Sequence, residues 1–153
     1  MKNLKNIVLI FFFPLSLISL ISCGVTENDD ENSNADASAI SGKWSHTNGN
    51  VYEISGTGGI FYEVDSGSVW ATAIDEEFIE LGDEKFRNIS HQSDNEWAVQ
   101  ELWFKPEGNQ PAEIRWSSTG TIVLSGNDQS ITITTVNPFP PGNTSPYTLS
   151  RVD

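Results

Sequence analysis

From about residue 40 onwards, apolar and polar residues alternate in short runs that turn residues separate. The apolar positions are mostly β-branched or aromatic, and such side chains pack well on a half-buried strand. No stretch keeps the apolar spacing of a helix over several turns. The runs that predict strands are 51–55, 60–64, 69–73, 78–81, 85–89, 96–104, 113–117, 121–124, 131–134 and 147–151.

Short turns join most of these runs. Asn48-Gly49 is a strong hairpin dipeptide because both residues tolerate positive φ. Segments 65–68 and 125–128 have the composition of turns, and the proline-rich segment 137–143 predicts a loop because proline cannot donate to a ladder. We therefore expect an all-β domain, an antiparallel up-and-down β-barrel of about 8–10 strands, with a β-sandwich as the alternative. The barrel is preferred because the last run can pair with the first strand and remove the open sheet edges.

The longest run, 96–104, holds the main candidate binding residues. Alternation along a strand places Trp97, Glu101 and Trp103 on one face. The two tryptophans either fill the core or wall a pocket for a small hydrophobic ligand or a sugar ring, with Glu101 as the orienting polar contact. Trp116 in the next run is a further candidate for the same pocket. If Glu101 is buried it needs a cationic partner, and Arg87 or Arg115 is the expected one.

Gly42-Lys43-Trp44 begins the first strand, and Arg151 lies in the last one. This combination resembles the lipocalin-like (calycin) signature of small bacterial lipoproteins. The resemblance implies that the Trp44 indole closes one end of a barrel and that Arg151 packs over it. It also implies a binding function, although the chain lacks the disulfides and the C-terminal helix of typical secreted lipocalins.

Residues suited to catalysis are few. His46 and His91 are not at metal-ligand spacing, and we expect both at the surface. The acidic run 75–77 predicts a solvated turn, and the sequence has neither a nucleophile elbow nor a calcium-loop pattern. We therefore expect a binding protein and not an enzyme, with no catalytic residue, no metal site and no cofactor.

The N-terminal segment has the layout of a secretory signal: Lys2 and Lys5, an apolar run over 7–21, and Ser22 as the small residue before Cys23. A small residue followed by the single cysteine of the chain resembles a bacterial lipobox. The resemblance implies a signal peptide over 1–22, acylation of Cys23 with palmitate-type chains and attachment to the outer membrane. A transmembrane helix is disfavoured because the apolar run is shorter than about 20 residues; an ordinary signal peptide is the other alternative.

An acidic, polar segment follows the cysteine, and we expect residues 23–39 to form a disordered tether to a β domain over 40–153. Removal of the signal would leave six basic and 21 acidic side chains, so the net charge of about −15 would repel nucleic acid. The cluster over 27–31 resembles the acidic signal that exports some lipoproteins to the cell surface, or it is a solvated linker.

These features together predict a lipid-anchored β-barrel of the cell envelope whose partners are the membrane, through the anchor, and a small hydrophobic ligand. Two other functions remain open: a cell-surface glycan- or protein-binding module that uses exposed tryptophans, and a structural or inhibitory envelope protein without an internal ligand. The direction in which the aromatic side chains point discriminates between them.

Overall fold

The computed structural model describes residues 37–144 and 146–152. The expected signal peptide, Cys23 and the tether as far as residue 36 lie outside the described residues. A 3-10 turn, Ser38–Ile40, precedes the first strand, and a short helix α1, Val69–Asp75, lies between the third and fourth strands. The strands are β1 Gly42–His46, β2 Val51–Ser55, β3 Gly58–Glu63, β4 Glu84–Ser93, β5 Glu96–Lys105, β6 Glu113–Trp116, β7 Gly120–Leu124, β8 Ser130–Thr134 and β9 Tyr147–Arg151.

The strands form one closed antiparallel sheet. Its order is β4-β3-β2-β1-β9-β8-β7-β5, and β4 pairs with β5 to complete the circle. The last strand pairs with the first, with Arg151 opposite Trp44. The predicted all-β barrel is thus confirmed, and the sandwich alternative does not apply. The closed eight-stranded wall is compatible with a lipocalin-like fold.

Strands β6 and β7 lie end to end along the same edge of β5. Leu102 of β5 faces Trp116 of β6, and Val99 faces Gly120 of β7. Ser117 joins the two segments: its amide donates to the Glu101 carbonyl (2.8 Å), and its hydroxyl accepts from the Glu101 amide (2.9 Å). The two short strands therefore act as a single interrupted strand of the wall.

The sequence prediction was wrong between β3 and β4. Run 69–73 lies in helix α1, because Ser68 caps it by accepting a hydrogen bond from the Trp70 amide, and because Trp70 and Ala73 share its buried face. Run 78–81 is irregular and forms no strand, and the Phe78 amide bonds back to the Ala73 carbonyl. Among the described residues, no helix combines the length and the apolar character that a membrane crossing requires.

Trp44 and Arg151 close one end of the barrel. Trp44 is fully buried, and its indole N–H donates to the Ile40 carbonyl at 2.8 Å. The Arg151 guanidinium carbon lies 4.3 Å from the centre of the Trp44 ring. This is the arrangement that the Gly-x-Trp and terminal-arginine resemblance implied, and the 3-10 turn covers the same end. Strand β1 runs from this closed end to His46 at the opposite end.

Candidate functional site

A cavity of about 220 Å³ lies at the end of the barrel opposite Trp44, under helix α1. Its position follows from the strand directions, since it is lined by the end of β1 and the beginnings of β2, β4 and β9. The polar lining residues are His46, Asn48, Tyr52, Lys85, Glu101 and Tyr147. The apolar or aromatic ones are Val69, Trp70, Trp103 and Phe104.

A buried ion pair is the central feature of this cavity. The Lys85 ammonium lies 2.7 Å from Glu101 Oε1, and both residues are only 3% exposed. Lys85 also donates to the Leu102 carbonyl at 2.6 Å. Strands β4 and β5 bring the pair together because Phe86 faces Glu101 in the ladder. A buried charge pair is tolerated only with such geometry and additional hydrogen bonds, since each charge has lost its water.

Hydroxyl groups supply the additional hydrogen bonds to Glu101. The Tyr147 hydroxyl donates to Oε1 at 2.7 Å, and the Thr135 hydroxyl donates to Oε2 at 2.5 Å. The Trp103 indole N–H in turn donates to the Thr135 oxygen at 3.3 Å. Glu101 therefore receives hydrogen bonds from β4, from β9 and from the residue that follows β8, and the network holds the carboxylate in one position.

Four aromatic rings also lie close to the Lys85 ammonium. The closest is Trp70 of helix α1, whose ring centre lies 4.3 Å from Nζ. Phe86 follows at 5.7 Å, and Tyr52 and Phe61 at 5.9 Å. The faces of such rings attract a cation, and the attraction is larger in a desolvated site. Helix α1 thus contributes directly to the site by placing Trp70 over the lysine.

Burial dominates the electrostatics of the cavity. It lowers the pKa of Lys85, and the adjacent Glu101 charge opposes part of that shift. Burial also raises the pKa of Tyr147 well above its usual value, and the Glu101 charge adds to that effect. The pKa of Tyr52 is raised for the same two reasons, burial being the larger one. Both phenols therefore stay protonated in the folded protein at neutral pH.

The rim of the cavity is built by the β1–β2 turn. His46 is half-buried, and its ring centre lies 5.3 Å from that of Tyr147. Its Nδ1 accepts a hydrogen bond from the Asn48 amide, so the neutral ring carries its proton on Nε2. Asn50 is fully buried and joins the rim to the interior, since it donates to the Tyr52 hydroxyl and accepts from the Asp65 amide.

The structure separates the four candidate ligand-binding residues. Glu101 and Trp103 line the cavity. Trp97 is 1% exposed, packs edge-on against His91 at 5.6 Å and belongs to the core, outside the cavity lining. Trp116 is half-buried outside the cavity, with the Arg87 guanidinium 3.9 Å from its ring centre.

The predicted cationic partner of Glu101 was wrong. Arg87 bonds to Gln100 and lies over Trp116, while Arg115 forms a two-pronged pair with Glu113. Lys85 takes the expected role. Sequence reasoning also missed Tyr147 and Thr135. Little in the sequence pointed to Lys85, because Glu84, Arg87 and Asn88 around it are also polar.

The two histidines were expected at the surface, and both are half-buried. The acidic run 75–77 is exposed, as expected of a solvated turn, and it ends helix α1. Within residues 37–144 and 146–152, no group of three or more His, Cys, Asp or Glu side chains could hold a metal ion.

No protein-family model, curated protein or solved structure matches this chain. The functional argument therefore rests on the geometry of the cavity.

Proposed function

We propose that this protein is a lipid-anchored lipoprotein of the outer membrane whose barrel binds a small, neutral, largely hydrophobic ligand in the cavity beneath helix α1. The observation that carries the proposal is the buried Lys85–Glu101 pair at the wall of a cavity that aromatic rings also line. Ligand sites typically combine an apolar lining with a few fixed polar groups.

The size and charge of the cavity define the ligand. A volume of about 220 Å³ is below the range of roughly 300–1,000 Å³ that drug-sized ligands occupy, so a single substituted ring is the expected scale. Lys85 and Glu101 already neutralise each other. A charged ligand would leave a net charge in a desolvated site, and a neutral ligand would not.

The alternative of a glycan-binding surface needs a row of exposed tryptophans. All five tryptophans lie among the described residues, and Trp44, Trp70 and Trp97 are buried while Trp103 and Trp116 are half-buried. This distribution favours an internal ligand over stacking of sugars on an open face. A barrel without a ligand, in which the ion pair only specifies the fold, is the competing hypothesis that the test below addresses.

The anchor is supported by the sequence alone, through the Ser22-Cys23 junction after an apolar run. Metabolic labelling with a palmitate analogue tests it. We expect the full chain to be labelled in its host and a Cys23→Ser variant to lose the label. Persistence of the label in the variant would refute the anchor without affecting the cavity.

Two valines with similar exposure provide a matched test of the cavity. Val69 is 43% exposed and lines the cavity, and Val123 is 42% exposed on β7. We expect native mass spectrometry of the full chain, extracted in detergent from its host, to show a co-purifying small molecule. The molecule should persist in Val123→Trp and be lost in Val69→Trp, whose indole would occupy the mouth. Absence of a bound mass from the unmodified protein, or its retention in both variants, would refute the proposal.

A further inference from the structure

Lys85 differs from the other lysines of the described chain in where its amine lies. Its side chain lines the cavity, and the residue is only 3% exposed. Lys43 lies over the ring of Tyr62, and Lys105 is 35% exposed beside Glu113. Only an amine that reaches a cavity can contact a ligand held there. The Lys85 amine also has a carboxylate at 2.7 Å to exchange a proton with.

We propose that Lys85 captures a small aromatic aldehyde in this cavity as a covalent imine, with Glu101 carrying the proton during the reaction and remaining as the counter-ion. The inference rests on the proposed function, because it names the chemical class of the ligand and the atom that holds it.

The reaction balances within the groups present and the aldehyde. The Lys85 ammonium first passes a proton to Glu101 Oε1. The free amine then attacks the carbonyl carbon, a C–N bond forms, and a proton moves from nitrogen to oxygen to give the carbinolamine. Glu101 returns its proton to the hydroxyl, water leaves, and a C=N bond forms. The net change converts an ammonium and an aldehyde into an iminium and water, with no oxidant or reductant.

Charge conservation explains why this site suits the reaction. The iminium keeps the positive charge of the ammonium it replaces, so Glu101 remains paired throughout. Because the charges of Lys85 and Glu101 cancel, the site is suited to a neutral ligand such as an aldehyde. Trp70, at 4.3 Å, stabilises the cation in both states. The hydroxyls of Tyr147 and Thr135 hold Glu101 in place while its proton comes and goes.

Desolvation also prepares the amine for attack. A lysine in an apolar pocket has a larger fraction of neutral amine than a lysine in water, and catalytic lysines are commonly activated in this way. The lowered pKa of Lys85 has this cause, burial being larger than the opposing effect of Glu101. Each unit by which a lysine pKa falls increases the neutral amine fraction about tenfold near neutral pH.

Reductive trapping tests the inference directly. The full chain is incubated with benzaldehyde and cyanoborohydride near neutral pH, and the benzylated lysines are located by peptide mass mapping. We expect Lys85 to be modified at least about tenfold faster than Lys43 and Lys105, because the cavity holds the aldehyde beside this amine. Lys85→Arg keeps the positive charge and should lose the fast modification, whereas Lys43→Arg should retain it.

A second measurement distinguishes failure of this inference from failure of the proposed function. Benzyl alcohol carries the same ring without a carbonyl, and its binding is followed by tryptophan fluorescence and by protection of Lys85. If benzyl alcohol binds but benzaldehyde is not trapped at Lys85, the covalent inference fails and the proposed function stands. If the alcohol does not bind and Lys85 is not trapped, both fail for this ligand class.

The Val69→Trp variant covers the case in which Lys85→Arg does not fold. It leaves Lys85 unchanged and should slow trapping at Lys85 alone, because the aldehyde reaches the amine through the mouth. Equal trapping rates at all three lysines, or a rate at Lys85 that Val69→Trp does not change, would overturn the inference.

Discussion

The guanidinium of Arg151 covers the buried indole of Trp44 and at the same time binds three backbone carbonyls. Its carbon lies 4.3 Å from the ring centre. Its Nε donates to Asp128 at 2.8 Å, and its two terminal nitrogens donate to Ser41 at 3.0 Å and Ala39 at 2.9 Å. One side chain thus joins the last strand, the β7–β8 turn and the segment before β1.

Arg151→Lys should reduce the free energy of unfolding by about 1–3 kcal/mol, because an ammonium cannot reproduce the planar fork that reaches several carbonyls. Urea denaturation measures the change. Arg115→Lys is the matched control, since Arg115 is exposed, pairs with Glu113 of its own strand and lies 5.1 Å from the Phe139 ring centre. It should change stability by less than about 0.5 kcal/mol. Equal losses in the two variants would contradict the role of the Arg151 contacts.

Glu101→Gln should destabilise the protein by about 3–5 kcal/mol, because it leaves the Lys85 charge buried without a counter-ion. Replacing both members of the pair, in a Lys85→Met/Glu101→Gln double variant, should recover part of the loss. Denaturant melts of the two single variants and the double variant form the cycle that measures the coupling. Additive effects would show that the pair does not act as a unit.

The same Glu101→Gln variant should become more stable as the pH rises. Burial already lowers the pKa of Lys85, and removal of Glu101 removes the interaction that opposed this shift. Between the lowered pKa of Lys85 in the folded state and the ordinary lysine pKa of about 10.4, the folded state then binds fewer protons than the unfolded state, so stability increases with pH across that window. Thermal melts across a pH series measure this slope, and a stability independent of pH would contradict it.

Alkaline pH should destabilise the unmodified protein through its buried phenols. The pKa values of Tyr52 and Tyr147 are raised in the folded state. The stabilisation that the protonated phenols provide is therefore fully present below about pH 10 and is lost as the pH rises further. In that region each phenol should lower the free energy of unfolding by about 1.4 kcal/mol per pH unit. Urea melts of Tyr147→Phe should show a shallower decline above pH 10 than the unmodified protein. Tyrosinate absorbance that rises before unfolding would argue against this assignment.

Gly120 begins β7 where the interrupted strand resumes, and a side chain there has no room. A Cβ would lie 2.2 Å from the Thr134 carbonyl oxygen and 2.7 Å from Thr135 Cγ2. Because the nearest atom belongs to the backbone and cannot move aside easily, Gly120→Ala should reduce the free energy of unfolding by about 1–3 kcal/mol. Gly126→Ala meets no atom within 4 Å and should be close to neutral. Chemical denaturation compares the two, and an equally stable Gly120→Ala would refute the steric argument.

The alternation of apolar and polar residues predicted most of the fold. Runs 51–55 and 147–151 match β2 and β9 at both ends, because their apolar positions alternate and turn residues bound them. Run 69–73 failed because valine, tryptophan and threonine also favour strands. Its helix depends on the Ser68 cap and on a Trp70–Ala73 spacing that is too short to establish a period.

The sequence predicted that Glu101 would need a cationic partner, but it did not identify that partner. Burial of Glu101 demands a cation, yet choosing Lys85 over Arg87 requires knowing how β4 and β5 align. Alternation also breaks at Lys85–Phe86, where both neighbours are buried. Trp97 and Trp103 share a strand, but the cavity occupies only one end of the barrel, so strand identity alone could not place both at it.

The position of the 3-10 turn shows at which end of the barrel the chain enters. The chain enters the barrel at the end that Trp44 and Arg151 close, where Arg151 holds Ala39 and Ser41. Strand β1 then leads to His46 at the rim of the cavity. The covalent connection to the N-terminal segment therefore leaves the barrel at the end remote from the cavity.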